Sequence, residues 1–309
     1  MLAPSFTTTS LRALVLICLL LACACNTGRP SRENATATRE ITDDAGRRVS
    51  LPERVDRVIS LAPNLTEIVF AVGGGDRLVG NTTYCDYPAD AKAVTKVGDS
   101  MQPSLERIIA LRPQVVLIST ASQLEVFTQQ LHNQNIAAFV TDPHDLEGMF
   151  RTIEQVGQIL GQTEQANQLV KNLRERTSAV EQAVKDAKPV RVFYQVSEKP
   201  LYTLGRDAYL TDLIRRAGAV SVTADVPGAW PRYSDESAVA TKPEAIILPT
   251  GGSMGAANSS VTEALRNSPA VLAGRVFKID GDYLARPGPR LIDGLEAMAH
   301  ALHPEAFKQ

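Results

Sequence analysis

The sequence predicts an α/β fold built as two like lobes joined by a long helix, and three observations carry the prediction. First, the stretch 104–120 returns 130 positions later as 234–250, with Ser104, Glu106, Ala110, Pro113 and Thr120 matched by Ser234, Glu236, Ala240, Pro243 and Thr250. Second, short apolar runs alternate with helical stretches on both sides of the chain's middle. Third, residues 146–187 read as helix throughout, with no strand among them. The chain therefore divides into an N-terminal lobe over 41–145, bridging helices over 146–188 and a C-terminal lobe over 189–309.

In each copy of the repeat a Ser suited to cap a helix precedes the helical stretch, a basic residue and Pro close it, and an apolar run follows as a buried strand. Glu106 and Glu236 thereby stand at matching places on the two lobes. The helix dipole favours a carboxylate near any helix N-terminus by about 0.3–1 kcal/mol when exposed, so either Glu alone means little. Their pairing is what points to a partner with two-fold symmetry.

In the first lobe, 55–61, 78–80, 115–119 and 137–140 read as strands, and 65–72, 105–111 and 124–133 as helices. Gly73, Gly74 and Gly75 follow the first of those helices and read as its cap. No Gly-x-x-x-x-Gly-Lys-Ser/Thr occurs, which removes a phosphate loop. In the bridge, Phe150, Ile153, Val156, Ile159 and Leu160 form one apolar stripe and Ala166, Leu169, Val170, Leu173, Val180 and Val184 another, broken at Gly161-Gln-Thr163. The second segment, 163–187, would be about 37 Å long at 1.5 Å per residue, enough to join the lobes and stiff enough to resist hinge bending. In the second lobe, 190–196, 245–248 and 276–279 read as strands, and 208–217, 234–240, 261–267 and 290–302 as helices. The result is two Rossmann-like α/β lobes with a ligand cleft between them.

Composition sets the bounds. With 309 residues, 44% of them hydrophobic, and a net charge of −2, the chain is long enough for two ordinary lobes and too balanced for nucleic acid or a polybasic membrane surface. Residues 1–22 read as a signal peptide: Arg12 precedes an apolar run over 13–22 that is too short to span a bilayer of about 30 Å. The Leu20-Leu-Ala-Cys23 stretch resembles a bacterial lipobox, which makes Cys23 the expected lipidation site, with Cys25 as second choice because Ala22 would then stand where the motif prefers Leu, and simple secretion as the alternative; 23–40 reads as a flexible tether. Cys85 is then the only cysteine of the globular part, so neither a disulfide nor a cysteine-based zinc site is expected.

Aromatic residues make up 5% of the chain, yet several fall in Pro- or Gly-rich loops: Tyr84 and Tyr87, Tyr202, Trp230 and Tyr283. Loop aromatics of this kind line ligand clefts, offering a rigid apolar face with a polar tip. Trp230, the only Trp, is the leading candidate. Gly251-Gly-Ser253-Met-Gly255 matches a nucleophile-elbow pattern, and Asp280 or Asp282 with His300 or His303 supplies a hydrolase chain order. A helix should start at that Ser, however, and residues 256–260 intervene, so a surface Gly-Ser loop accounts for it better. The four histidines, 132, 144, 300 and 303, show no metal-ligand spacing.

Residues from about 54 to 302 resemble the substrate-binding proteins of bacterial ABC importers for cobalamin, haem and ferric siderophores. The resemblance rests on 57–67 (Arg57 to Glu67), 83–88 (Thr83 to Pro88), 104–108 (Ser104 to Ile108) and 286–290 (Arg286 to Arg290), and is nearest to the cobalamin branch. It implies that Tyr84, Tyr202, Trp230, Asp282 and Arg286 face a corrin ring, with backbone near Pro63 and Asn64 as the cleft floor. Ser100 stands where cobalamin binders place a second Trp, which implies one less-covered face. The resemblance also implies that Glu106 and Glu236 dock on arginines of a homodimeric permease with its ATPase. The expectation is a monomeric, lipid-anchored extracytoplasmic carrier with no catalytic residue and no cofactor, its cargo a cobalamin-like macrocycle. Haem, with Tyr84 or Tyr283 as axial ligand, and a ferric siderophore, with Arg206, Arg232 and Arg286 as cations, are the alternatives.

Overall fold

The computed structural model describes residues 38–119, 124–251 and 260–308. Chain entry is a hairpin of β1 (Thr38–Thr42) and β2 (Arg48–Pro52), paired antiparallel from Thr38 opposite Pro52 to Thr42 opposite Arg48. Alternation turns Ile41, Val49 and Leu51 into the core. The hairpin starts three residues inside the stretch 23–40 that the sequence suggested as tether.

The N-terminal half holds β3 (Val58–Ser60), β4 (Leu78–Asn81), β5 (Val115–Ser119) and β6 (Ala137–Thr141) in one parallel sheet of order β4-β3-β5-β6. Helices α1 (Pro63–Ala71), α2 (Leu105–Ala110) and α3 (Leu124–Asn133) connect them. The C-terminal half holds β7 (Val190–Ser197), β8 (Tyr202–Thr203), β9 (Ala219–Ser221), β10 (Ala245–Thr250) and β11 (Val276–Asp280). Here β9, β7, β10 and β11 lie parallel in that order, and β8 pairs antiparallel with β7. Apart from β8, the two sheets share one topology: in each, the first strand is flanked by the second and third, and the fourth lies outermost beside the third.

The repeat accounts for this likeness down to side chains. Ser104 and Ser234 cap α2 and α7 (Asp235–Thr241), accepting from the N–H of Arg107 and Ser237. Each helix then stops at a residue with positive φ, Arg112 at 47° and Lys242 at 44°, just before the matched prolines. Gln114 Oε1 accepts from Arg57 N–H at 3.0 Å, and Glu244 Oε2 from Arg191 N–H at 2.9 Å. Arg57 and Arg191 in turn donate to the carbonyls of Leu111 and Thr241.

Between the halves run α4 (Leu146–Ile159) and α5 (Thr163–Val184). At 22 residues, α5 is about 33 Å long and ends three residues before the reading from sequence. Ion pairs hold it on both sides: Arg174 to Glu147 of α4 at 2.7 Å, and Arg176 to Asp293 and Glu296 of α10 (Leu291–Leu302) at 2.6 and 2.7 Å. Glu181 pairs with Arg216 of α6 (Tyr209–Arg216) at 2.6 Å.

Strand side chains alternate between cores. Val58, Val115, Leu117 and Phe139 join a cluster that continues through α4 and α5 to Val192, Tyr194, Ile247 and Leu295. Ile59, Val116, Ile118 and Val140 face an outer cluster of the first half, and Phe193, Ile246 and Leu248 one of the second. The inner core is thus unbroken from one half to the other. Where the sequence predicted a helix over 261–267 there is a short 3-10 turn, Glu263–Leu265, and then α8 (Pro269–Leu272) restarts behind a Ser268 cap. Among the described residues, no helix is long and apolar enough to cross a membrane.

Candidate functional site

Ligands of open parallel sheets bind beyond the carboxyl ends of the strands, near the point where strand order reverses. In both halves that point lies between the first and third strands. The residues singled out as ligand-facing follow such ends. Pro63 and Asn64 open α1 after β3, where Pro suits the first helical position. Tyr84 follows β4, Tyr202 lies on β8 after β7, and Trp230 follows β9. Asp282 and Tyr283 lie on α9 (Gly281–Ala285), directly after β11, with Arg286 as its C-cap. Tyr283 is therefore on a short helix and not in a loop, because the Asp280 carboxylate caps the Asp282 N–H at 2.9 Å and starts a turn there.

The halves meet at one end of this region. Asn64 Nδ2 donates to the Pro287 carbonyl at 3.3 Å. Beside it lies an ionic cluster: Arg286, its side chain 3% exposed, pairs with Glu67 and Asp86 of the first half at 2.9 Å each and with Asp282 at 3.0 Å. Arg290 pairs with Glu67 at 2.6 Å, and its guanidinium lies 3.9 Å over the Tyr87 ring and 5.6 Å from that of Tyr283. Burial opposes the charge of both arginines, but the hydrogen bonds of Glu67 hold their pKa values above the ordinary guanidinium range. Arg286, expected to face a ligand, is buried and engaged by three carboxylates.

The aromatic residues around this seam differ in exposure. Tyr84 is 38% exposed, Trp230 43% and Tyr87 47%, and Tyr202 and Tyr283 are half-buried. Their loops are tightly held. Lys96 Nζ donates to the carbonyls of Cys85 and Ala91 and to Asn81 Oδ1, all within 3.0 Å, pinning the loop that carries Tyr84 and Tyr87. Burial lowers the Lys96 pKa. The Trp230 indole stands edge-on to Tyr209, centroids 6.0 Å apart, and the Tyr209 hydroxyl donates to the Leu284 carbonyl at 2.8 Å. Burial pushes the Tyr209 phenol pKa up. Backbone bonds from Gly205 to Ala229 and from Arg206 to Val226 close the Trp230 loop.

Glu106 and Glu236 are exposed in the first turns of α2 and α7. Ser253 and Cys23 lie outside the described residues. The histidines of the hydrolase pattern are occupied elsewhere: His300 stacks on Phe307 at 3.8 Å, and His303 Nε2 lies 2.8 Å from the Gly218 carbonyl. Among the described residues, no group of three or more His, Cys, Asp or Glu is placed to hold a metal ion. Sequence reasoning passed over Glu67, Asp86, Lys96 and Arg290 as functional candidates. A signal for two of them was present, since Glu67 and Arg290 end the two stretches 57–67 and 286–290.

The sequence matches the periplasmic binding protein family over residues 58–283. It is 32% identical to an uncharacterized ABC transporter substrate-binding lipoprotein, YvrC, of Bacillus subtilis, over 96% of this chain and 97% of that one. Among solved structures it resembles the periplasmic vitamin B12 binding protein BtuF of Vibrio cholerae, with a TM-score of 0.73 and 28% identity over 84% of this chain and all of that one. It also resembles a periplasmic heme binding protein of Pseudomonas aeruginosa, with a TM-score of 0.71 and 25% identity over 81% of this chain and 93% of that one. The paired sheets, the bridging helices and these likenesses converge: the chain belongs to the periplasmic binding protein family and is an extracytoplasmic substrate-binding protein of an ABC transporter, not an enzyme.

Proposed function

We propose that this protein captures cobalamin or a related corrinoid between its two halves and delivers it to a homodimeric permease with its ATPase. The observation that carries the reading is the set of exposed or half-buried aromatic rings, Tyr84 from one half and Tyr202, Trp230 and Tyr283 from the other, all beyond the carboxyl ends of parallel strands. Flat rings present the surface a macrocycle stacks on, at little entropic cost. At the seam, three carboxylates face two guanidinium groups, so no surplus of positive charge is offered there. That balance favours an uncharged, amide-fringed ring over an anionic siderophore. Asn64, Asp282 and the backbone at Pro63 supply polar partners at the edge.

In this reading Glu106 and Glu236 are the docking pair, one on each half at equivalent, exposed helix starts, and they meet arginines of the permease. Cys23 carries a lipid that keeps the monomeric carrier at the membrane, with the residues before Thr38 as its tether. A haem ligand is the second reading, favoured by the likeness to the Pseudomonas aeruginosa protein and by the partly open phenols of Tyr84 and Tyr283. One experiment decides between them: titration of the purified protein with cyanocobalamin, hemin and a ferric siderophore, followed by calorimetry and absorption. Heat with cyanocobalamin alone supports the proposal, and a Soret shift with hemin and no corrinoid binding overturns it.

A further inference from the structure

The ionic cluster at the seam has one carboxylate bonded to both of its guanidinium groups. Glu67 lies on α1 of the first half, its side chain 2% exposed. It accepts from Arg286 Nη1 at 2.9 Å, and from Arg290 through two bonds, Nε to Oε2 at 2.9 Å and Nη2 to Oε1 at 2.6 Å. Both arginines come from more than 200 residues away in sequence, on the other half.

The paired bond to Arg290 fixes the plane of its guanidinium, a geometry that lysine cannot supply. That same plane covers the Tyr87 ring at 3.9 Å and reaches toward Tyr283 at 5.6 Å. Tyr87 belongs to the loop of Tyr84, whose other end Lys96 pins, and Asp86 of that loop pairs with Arg286. The loop is thus stretched between an ammonium of its own half and two guanidinium groups of the opposite half.

Stability alone does not call for such a device, because well-packed apolar groups of similar volume hold an interior as well as a buried ion pair does. What charges with directional bonds add is a single relative placement. We propose that Glu67 is a positioning residue for ligand capture: through Arg286 and Arg290 it sets the Tyr87 loop of one half against α9 of the other, so that the aromatic faces stand in their final array before ligand arrives. The inference rests on the proposed capture of a ligand at these faces. Preorganisation of this kind raises affinity by removing ordering costs from the binding step.

The test uses the full chain with Glu67→Gln and, separately, Arg290→Lys, which keeps the charge but loses the paired bond and the stacked plane. Two readouts are taken: hydrogen–deuterium exchange of the ligand-free proteins by mass spectrometry, and calorimetric titration with cyanocobalamin and with hemin. Expected are faster exchange in peptides covering 82–88 and 281–291 with the remainder unchanged, and at least tenfold weaker binding of whichever probe the wild type takes, with the Arg290→Lys melting temperature within a few degrees of wild type. Wild-type exchange in those peptides, or wild-type affinity in Arg290→Lys, overturns the proposal. Should Glu67→Gln not fold, Arg290→Lys decides alone. Should the wild type bind neither probe, the ligand reading is what has failed, and the exchange data still decide the positioning role.

Discussion

The Trp230 indole meets the Tyr209 ring edge-on, with the planes at 77°. The only Trp is thereby braced by a buried phenol while 43% of its surface stays exposed. Tyr209 also holds the Leu284 carbonyl, so Trp230 and the neighbouring Tyr283 share a single support.

Replacing Trp230 by Ala should therefore cost affinity and not fold. At 43% exposure the ring contributes little to the core, whereas stacking of a large aromatic on a flat ligand is worth about 1–3 kcal/mol by analogy with base stacking. We expect at least tenfold weaker cyanocobalamin binding in a titration, with a melting temperature within about 3 °C of wild type. Unchanged affinity would remove Trp230 from the site.

Gly205 tests the loop from beneath. A Cβ there would overlap the carbonyl oxygens of Gly228 and Val226, both backbone atoms that cannot turn aside. Gly205→Ala should displace the 226–230 segment, costing about 1–3 kcal/mol and shifting the emission of Trp230. A fluorescence spectrum and melting curve identical to wild type would contradict the close approach.

Lys96→Met should loosen the facing loop. Three acceptors, the Cys85 and Ala91 carbonyls and Asn81 Oδ1, lose the ammonium that now links them; the Ala91 carbonyl keeps the bond from Asn81 Nδ2, so the cost falls on the other two. Buried acceptors left without a donor cost about 1–3 kcal/mol. Lower thermal stability together with faster proteolysis near Tyr84 is the expected result, and Lys96→Arg should restore only part of it, since its planar head cannot reach three divergent acceptors.

Changing Glu106 and Glu236 together to Lys should abolish uptake while leaving ligand affinity as it is. Both side chains are exposed and neither carries a fold-stabilising pair among the described contacts. Uptake of labelled cobalamin by cells carrying the double variant is the measurement, and full uptake would remove the docking pair.

Much of this architecture is legible in the residue order because strand-forming runs such as 115–119 and 137–141 are continuous and apolar, as doubly covered parallel strands require. The matched stretches 104–120 and 234–250 become the same helix and strand in each half. The entry hairpin escapes notice because Ile41, Val49 and Leu51 are single apolar residues, none flanked by another within a run of strand-forming side chains. The helix read over 261–267 fails because Ser268 and Pro269 restart the chain just after it. For the site, loop aromatics can be found by composition. The pairing within the Glu67 cluster cannot, since Arg286 and Arg290 lie 219 and 223 positions from Glu67; the stretches 57–67 and 286–290 mark two of its members without joining them.

The continuity of the inner core through α4 and α5 bears on how the molecule comes apart. Apolar contacts that never thin out leave no weak plane at which one half could melt while the other persists. Heating should give one calorimetric peak whose van't Hoff and measured enthalpies agree, so that outside the cell the carrier exists either whole or wholly undone, with no half-molten form to expose sticky surface.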